Sequence, residues 1–176
     1  MNLQLATYES AVPTLTRDFS QSFEAYHGLV FRTAYRITGS AADAEDVLQT
    51  IFLRLLRMAP TASFPESEES YLRRAAVNAS VDLIRSRNVA RTVPLNEAMA
   101  EVGGESTVDL RDSLRRALAG LNPEAAEIFA LRYFEDFTNR EIAEALRISQ
   151  VSVAVKLHRA RRQLQRELLS YRGGQQ

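Results

Sequence analysis

The sequence contains no cysteine and no tryptophan, only two histidines, seven glycines and five prolines in 176 residues. Without cysteine there is no disulfide framework, no thiolate zinc site and no thiol nucleophile. His27 and His158 are isolated and there is no glycine-rich phosphate loop, so no catalytic residue, metal site or cofactor is read from the chain, which points away from an enzyme. No stretch approaches the ~18 apolar residues of a membrane span, and Met1 to Ser10 carry neither a basic nor an apolar targeting segment, so the expectation is a soluble, cytoplasmic protein. What is present is globular in balance: 45% hydrophobic and 25% charged residues, which argues against a largely disordered or fibrous chain.

Charge is balanced overall, 22 basic against 22 acidic residues, but not along the chain. Residues 94–112 carry five acids and Arg111 alone as a base, a net charge of −4. Residues 146–176 carry seven bases against Glu167, a net charge of +6. A basic C-terminal surface fits a polyanion, while an ordinary solvated face accounts for the same count.

Apolar residues recur at three- and four-residue spacing in block after block and strand signals are scarce, which predicts an all-α chain. Val30, Ala34 and Ile37 mark a helix ending at Gly39, a residue suited to the left-handed position beyond a helix. Ser40 caps a second helix with the stripe Ala44, Val47, Leu48, Ile51, Leu55 and Met58, stopped by Pro60. A third carries Leu72, Ala75, Ala76, Ala79 and Leu83. From about Asn88 to Val108 periodicity fades and Pro94, Gly103, Gly104 and acids accumulate, as in a linker. Beyond it Leu114, Ala117, Leu118 and Leu121 form a stripe ending at Asn122-Pro123, where proline suits the first turn of a helix bearing Ile128, Leu131 and Phe129. Thr138-Asn139-Arg140-Glu141 is a capping box that opens a short helix through Ile142, Ala143 and Leu146. Ser149 caps a longer helix with the stripe Val153, Leu157, Ala160, Leu164 and Leu168, and the pair reads as a helix-turn-helix. The expected architecture is two small helical domains joined by a flexible linker: an arm over 1–19, a first domain over 20–91, a linker over 92–111 and a helix-turn-helix domain over 112–172.

Three sets of polar residues stand out. At the start of the last helix, Gln150, Val151 and Ser152 are placed to meet base edges in a major groove, with Lys156, Arg159, Arg161 and Arg162 as phosphate contacts; helical hairpins that bind no DNA show the same pattern. On the second helix Asp43, Asp46 and Gln49 share a polar stripe that suits a basic partner, although acids in a first turn are also stabilised by the helix dipole. On the third, Arg74, Asn78, Asp82 and Arg85 share a face. A mid-helix asparagine hints at recognition there, and the competing reading is an exposed ladder in which Asp82 pairs with Arg85.

Taken together the two halves resemble the sigma-70 family of bacterial RNA polymerase initiation factors, in the extracytoplasmic-function (ECF) form that keeps only the second and fourth conserved regions. The first half carries the resemblance at residues 30–36 (VFRTAYR), 43–54 (DAEDVLQTIFLR) and 71–82 (YLRRAAVNASVD). The second carries it at 119–124 (AGLNPE), 131–137 (LRYFEDF), 140–143 (REIA) and 157–161 (LHRAR). By this resemblance Asp43, Asp46 and Gln49 dock on the clamp coiled coil of the polymerase largest subunit, and the second domain meets the polymerase flap. Arg74, Asn78, Asp82, Arg85 and Arg87 open and read the minus-10 element as single strand. Thr138, Arg140, Ser149, Gln150, Val151, Ser152, Lys156, Arg159 and Arg161 contact the minus-35 element as duplex. Core polymerase, promoter DNA and an anti-sigma protein are the implied partners. A linker of roughly 20 residues reaches about 65 Å at ~3.3 Å per residue, enough for two elements roughly 50 Å apart at ~34 Å per turn. The chain departs from the family at Tyr71, where tryptophan is common, at Arg147, where glycine is common, and at Ala154 and Lys156, where basic residues including arginine are common. Lysine lacks arginine's bidentate fit to guanine. A sigma-like interaction protein and a stand-alone helix-turn-helix regulator are the alternatives.

Overall fold

The computed structural model describes residues 14–58, 67–92 and 107–173, and among them finds α-helix and no strand. The helices are α1 (Thr14–Thr38), α2 (Ala41–Arg57), α3 (Glu68–Thr92), α4 (Thr107–Gly120), α5 (Pro123–Tyr133), α6 (Asn139–Leu146) and α7 (Gln150–Gly173). Two expected boundaries move. α1 begins within the expected arm, and α4 begins at Thr107, inside the expected linker; residues 1–13 and 93–106, the remainder of arm and linker, lie outside the described residues. α3 continues to Thr92, past the point where apolar periodicity fades, because local backbone hydrogen bonds propagate a helix without an apolar stripe to guide them.

Local chemistry sets most of the helix ends. α1 stops at Gly39, whose φ of 68° is left-handed and whose N–H donates to the Tyr35 carbonyl at 2.8 Å. The Arg115 guanidinium of α4 lies over this glycine, where a Cβ would meet it at 1.6 Å. Ser40 Oγ accepts from the Asp43 amide at 3.3 Å to start α2. Asn122 caps α5, its Oδ1 accepting from the Ala125 amide at 2.8 Å, with Pro123 in the first turn.

Helices α1 to α3 close around Val30, Ala34, Ala44, Val47, Ile51, Phe52, Leu72 and Ala76. The ring of Phe52 meets Phe23 edge-on at 4.9 Å, tying the start of α1 to α2. Helices α4 to α7 close around Leu118, Leu121, Ile128, Leu131, Ile142, Val153, Leu157 and Leu164. This second core also takes in Ile37 from α1 and Val77, Val81 and Ile84 from α3. α3 therefore buries two faces, one in each bundle. Val77, Val81 and Ile84, spaced at i, i+4 and i+7, each contribute roughly 1.5–3 kcal/mol by leaving water. The two helical units are packed against each other along α3.

Candidate nucleic-acid interface

The helix-turn-helix forms from strictly local signals. Thr138 Oγ1 accepts from the Glu141 amide at 3.2 Å, while the Glu141 carboxylate accepts from the Thr138 amide at 2.7 Å, completing the capping box. Those bonds, the backbone one foremost, hold the Glu141 carboxyl below its ordinary pKa because they favour the charged form. α6 ends at Arg147, held left-handed at φ 55° and ψ 42°, and the next amide, of Ile148, reaches back to the Ala143 carbonyl at 3.0 Å. Arginine thus takes up the backbone geometry for which glycine is the usual choice. Ser149 Oγ accepts from the Ser152 amide at 3.1 Å and lies 2.8 Å from the Ser152 hydroxyl, so that hydroxyl is engaged locally.

The start of α7 is open to solvent. Gln150 is exposed, Val151 is 73% exposed, and Arg159 and Arg161 project from the outer face. Lys156 is half-buried and ion-paired with Glu124 of α5, and Arg140 pairs with Glu144 at 2.8 Å within α6. A helix N-terminus flanked by cations and carrying glutamine and valine at its tip is suited to a phosphate and to base edges.

On α2 the expected stripe divides. Asp46 and Gln49 are exposed, but Asp43 is 3% exposed and its carboxylate is held by the Arg87 guanidinium, with Nη1 to Oδ2 at 2.5 Å. The reason is geometric: Asp43 sits in the first turn of α2, directly under the C-terminal part of α3. It ties two helices together instead of facing a partner, and Arg87 is its counter-ion. The exposed stripe instead continues from Asp46 and Gln49 to Leu53 and Leu56, about half exposed. Their spacing of 46, 49, 53 and 56 is present in the sequence, where only the polar members, Asp46 and Gln49, stand out as a stripe.

On α3 the expected exposed face is covered. Arg74 Nη1 donates to the Ala145 carbonyl at 2.7 Å and its Nε lies 3.4 Å from Glu127 Oε1. Asn78 Nδ2 donates to the same Glu127 oxygen at 3.0 Å. Arg85 Nη2 donates to the Leu121 carbonyl at 2.7 Å. Beside Arg74 on α3, Arg73 converges with Arg36 of α1 on Glu135, at 2.9 and 3.2 Å, and the Glu135 side chain is fully buried. Burial works to lower the pKa of Arg73, and the hydrogen bonds and charges of Glu69 and Glu135 outweigh it, so the value is raised overall. Asp82 alone of the set remains outward, 76% exposed and 4.0 Å from Arg85. The Asp82–Arg85 pair of the ladder reading is thus present, but not as an exposed ladder, because the Arg85 guanidinium is largely buried and also donates to carbonyls of α4 and the turn after it. A cleft of about 930 Å3 runs along this junction between Arg73, Arg74, Glu135 and Arg147. Sequence reasoning missed Arg36, Arg73, Glu127 and Glu135; the first three are charges within helical blocks, and Glu135 lies in the turn after α5, where a carboxylate gives no local signal of burial.

Together these features define a two-part helical protein with a helix-turn-helix at its C-terminal end and a basic helix face at the junction of its parts. Residues 22–89 match the family model for Sigma-70 region 2, and residues 111–164 match that for Sigma-70, region 4. The two together span more than half of the sequence. The chain is 32% identical over 143 residues to the ECF RNA polymerase sigma factor SigE of Mycolicibacterium smegmatis, covering 77% of this chain and 55% of that relative. It is 29% identical over 155 residues to the RNA polymerase sigma-E factor of Streptomyces coelicolor, covering 87% of each. Among solved structures, the sigma factor RpoE in complex with the anti-sigma factor NepR from Bartonella quintana aligns with a TM-score of 0.52 at 19% identity, over 88% of this chain and 98% of that one. CnrH in complex with the cytosolic domain of CnrY aligns with a TM-score of 0.56 at 24% identity, over 88% and 90%. These two likenesses establish the fold. The chain belongs to the sigma-70 family of RNA polymerase sigma factors, in its ECF form.

Proposed function

We propose that this protein binds core RNA polymerase, directs it to a specific set of promoters and promotes their melting. The observation that carries the reading is the ordered pair of regions 2 and 4 on one chain, the second with an open helix-turn-helix reading end. The exposed stripe of Asp46, Gln49, Leu53 and Leu56 docks on the polymerase clamp. Gln150 and Val151 meet base edges of a duplex minus-35 element while Arg159 and Arg161 neutralise phosphates. The α3 face of Arg74, Asn78 and Arg85 reads the minus-10 element as single strand, for which polar donors to base edges and cations to phosphates are the needed chemistry. The first domain comprises residues 20–91, and the second, with its boundary moved to the start of α4, residues 107–172. The protein works in the cytoplasm, has no catalytic residues of its own, and is held in reserve by an anti-sigma partner, the kind of partner with which RpoE of Bartonella quintana was solved.

Transcription in vitro from a pool of genomic promoter fragments, with core polymerase and with or without this protein, tests the reading. Start sites that require the protein and share a two-part upstream motif are expected. Binding to core polymerase without any dependent start would leave an interaction protein in its place.

A further inference from the structure

Of the two nucleic-acid surfaces, the duplex reader at the start of α7 is open and the α3 face is covered by the chain's own second bundle. The groups that cover it share one chemistry. Glu127 presents a carboxylate, and Leu121 and Ala145 present carbonyl oxygens, to the donors of Asn78, Arg74 and Arg85 on that face, and Glu135 presents its carboxylate to Arg73 immediately beside them. A single strand of DNA offers those donors the same menu: anionic phosphate oxygens and neutral base-edge acceptors. We infer that Glu127, Glu135 and the carbonyls around them act as an internal stand-in for single-stranded DNA, so that the chain in this closed arrangement binds duplex but not the melted strand. This rests on the reading of α3 as the strand-binding face.

The contact is built to separate as well as to hold. Glu135 is fully buried, and its burial is tolerated because Arg36 and Arg73 reach it from two different helices. All of these groups regain hydration when the bundles part, so the polar share of the junction adds selectivity for one docked arrangement while contributing little net stability. Interfaces of this mixed kind between parts of one chain ordinarily open. A strand that competes for the same donors shifts the population toward the open form, and the affinity measured for the strand is reduced by the fraction of molecules that are open.

The test uses the full chain and the doubly substituted Glu127→Gln/Glu135→Gln protein. Fluorescence anisotropy is read with a randomised pool of single-stranded oligodeoxynucleotides and with a matching duplex pool, and small-angle scattering gives the radius of gyration. The expected result is a larger radius, at least tenfold tighter single-strand binding and unchanged duplex binding. A larger radius with unchanged single-strand affinity overturns masking, and no change in either overturns the role of the two carboxylates. Adding Arg74→Ala and Asn78→Ala to the opened protein must remove the gained affinity. If the opened protein expands but binds no single strand at all, the strand-reading assignment of α3 falls together with the inference. Should the double variant fail to fold, hydrogen exchange on the unaltered protein decides. By linkage, the oligonucleotide must raise exchange across residues 119–135, and unchanged exchange at saturating oligonucleotide refutes the competition.

Discussion

Arg147 carries the turn of the helix-turn-helix in a left-handed conformation, at φ 55°. For a residue with a Cβ that geometry costs about 1–2 kcal/mol, and glycine avoids it while giving up roughly 0.5–1 kcal/mol of extra unfolded-chain entropy. Arg147→Gly is expected to stabilise the protein by about 0.5–1 kcal/mol in denaturant unfolding; a loss of stability would mean that the guanidinium makes a contact stronger than the strain. The capping box makes a pH-dependent contribution. Glu141 has a lower pKa folded than its ordinary 4.5, so its contribution is complete above that value and is lost as pH falls through the folded pKa. Thermal melts from pH 7 downward should show Glu141→Gln less stable than the parent at neutral pH, with the difference closing as the pH falls through the lowered pKa of Glu141. A pH-independent difference would assign the effect to side-chain shape and not to charge.

The helices show how one element divides its residues between buried contacts and a face left open to solvent. In α2, Asp43 is buried against Arg87 while Asp46, Gln49, Leu53 and Leu56 face solvent. Asp43→Ala should therefore cost about 1 kcal/mol of stability, the worth of a dipole-assisted pair whose arginine is half exposed. Leu53→Ser with Leu56→Ser should leave the melting temperature within a degree or two and weaken binding to core polymerase at least tenfold, measured with labelled protein. The opposite pattern, loss of stability without loss of polymerase affinity, would move the docking surface elsewhere. α3 is the element most fully used: Leu72 and Ala76 point into the first core, Val77, Val81 and Ile84 into the second, and Arg74, Asn78 and Arg85 meet the second bundle between them.

At the scale of the whole molecule, the shared core couples the two bundles. Ile84→Ala removes buried volume at their junction and is expected to cost about 2 kcal/mol, taken first from the docking of the bundles. Calorimetry should show the single transition of the parent broaden or split in this variant while the scattering radius grows. An unchanged single transition with the full cost in stability would mean that the bundles do not separate before unfolding.

The all-α class, Gly39, the caps at Ser40, Thr138 and Ser149, and the helix-turn-helix were all legible in the sequence, because each depends on residues within a turn or two of one another. The apolar stripes that form each bundle were legible for the same reason: a spacing of three and four places residues on one helical face whatever lies opposite. The docking of the bundles was not, because it pairs Glu135 with Arg36 and Arg73, and Glu127 with Arg74 and Asn78, across dozens of residues in sequence. A polar residue on a helix face carries the same local signal whether it meets water, nucleic acid or another part of its own chain. Only the tertiary structure decided that Asp43 is an internal partner, that Val77, Val81 and Ile84 form a second buried face, and that of the two expected DNA-reading surfaces one is open and the other covered, since each is a matter of what lies opposite a side chain in space.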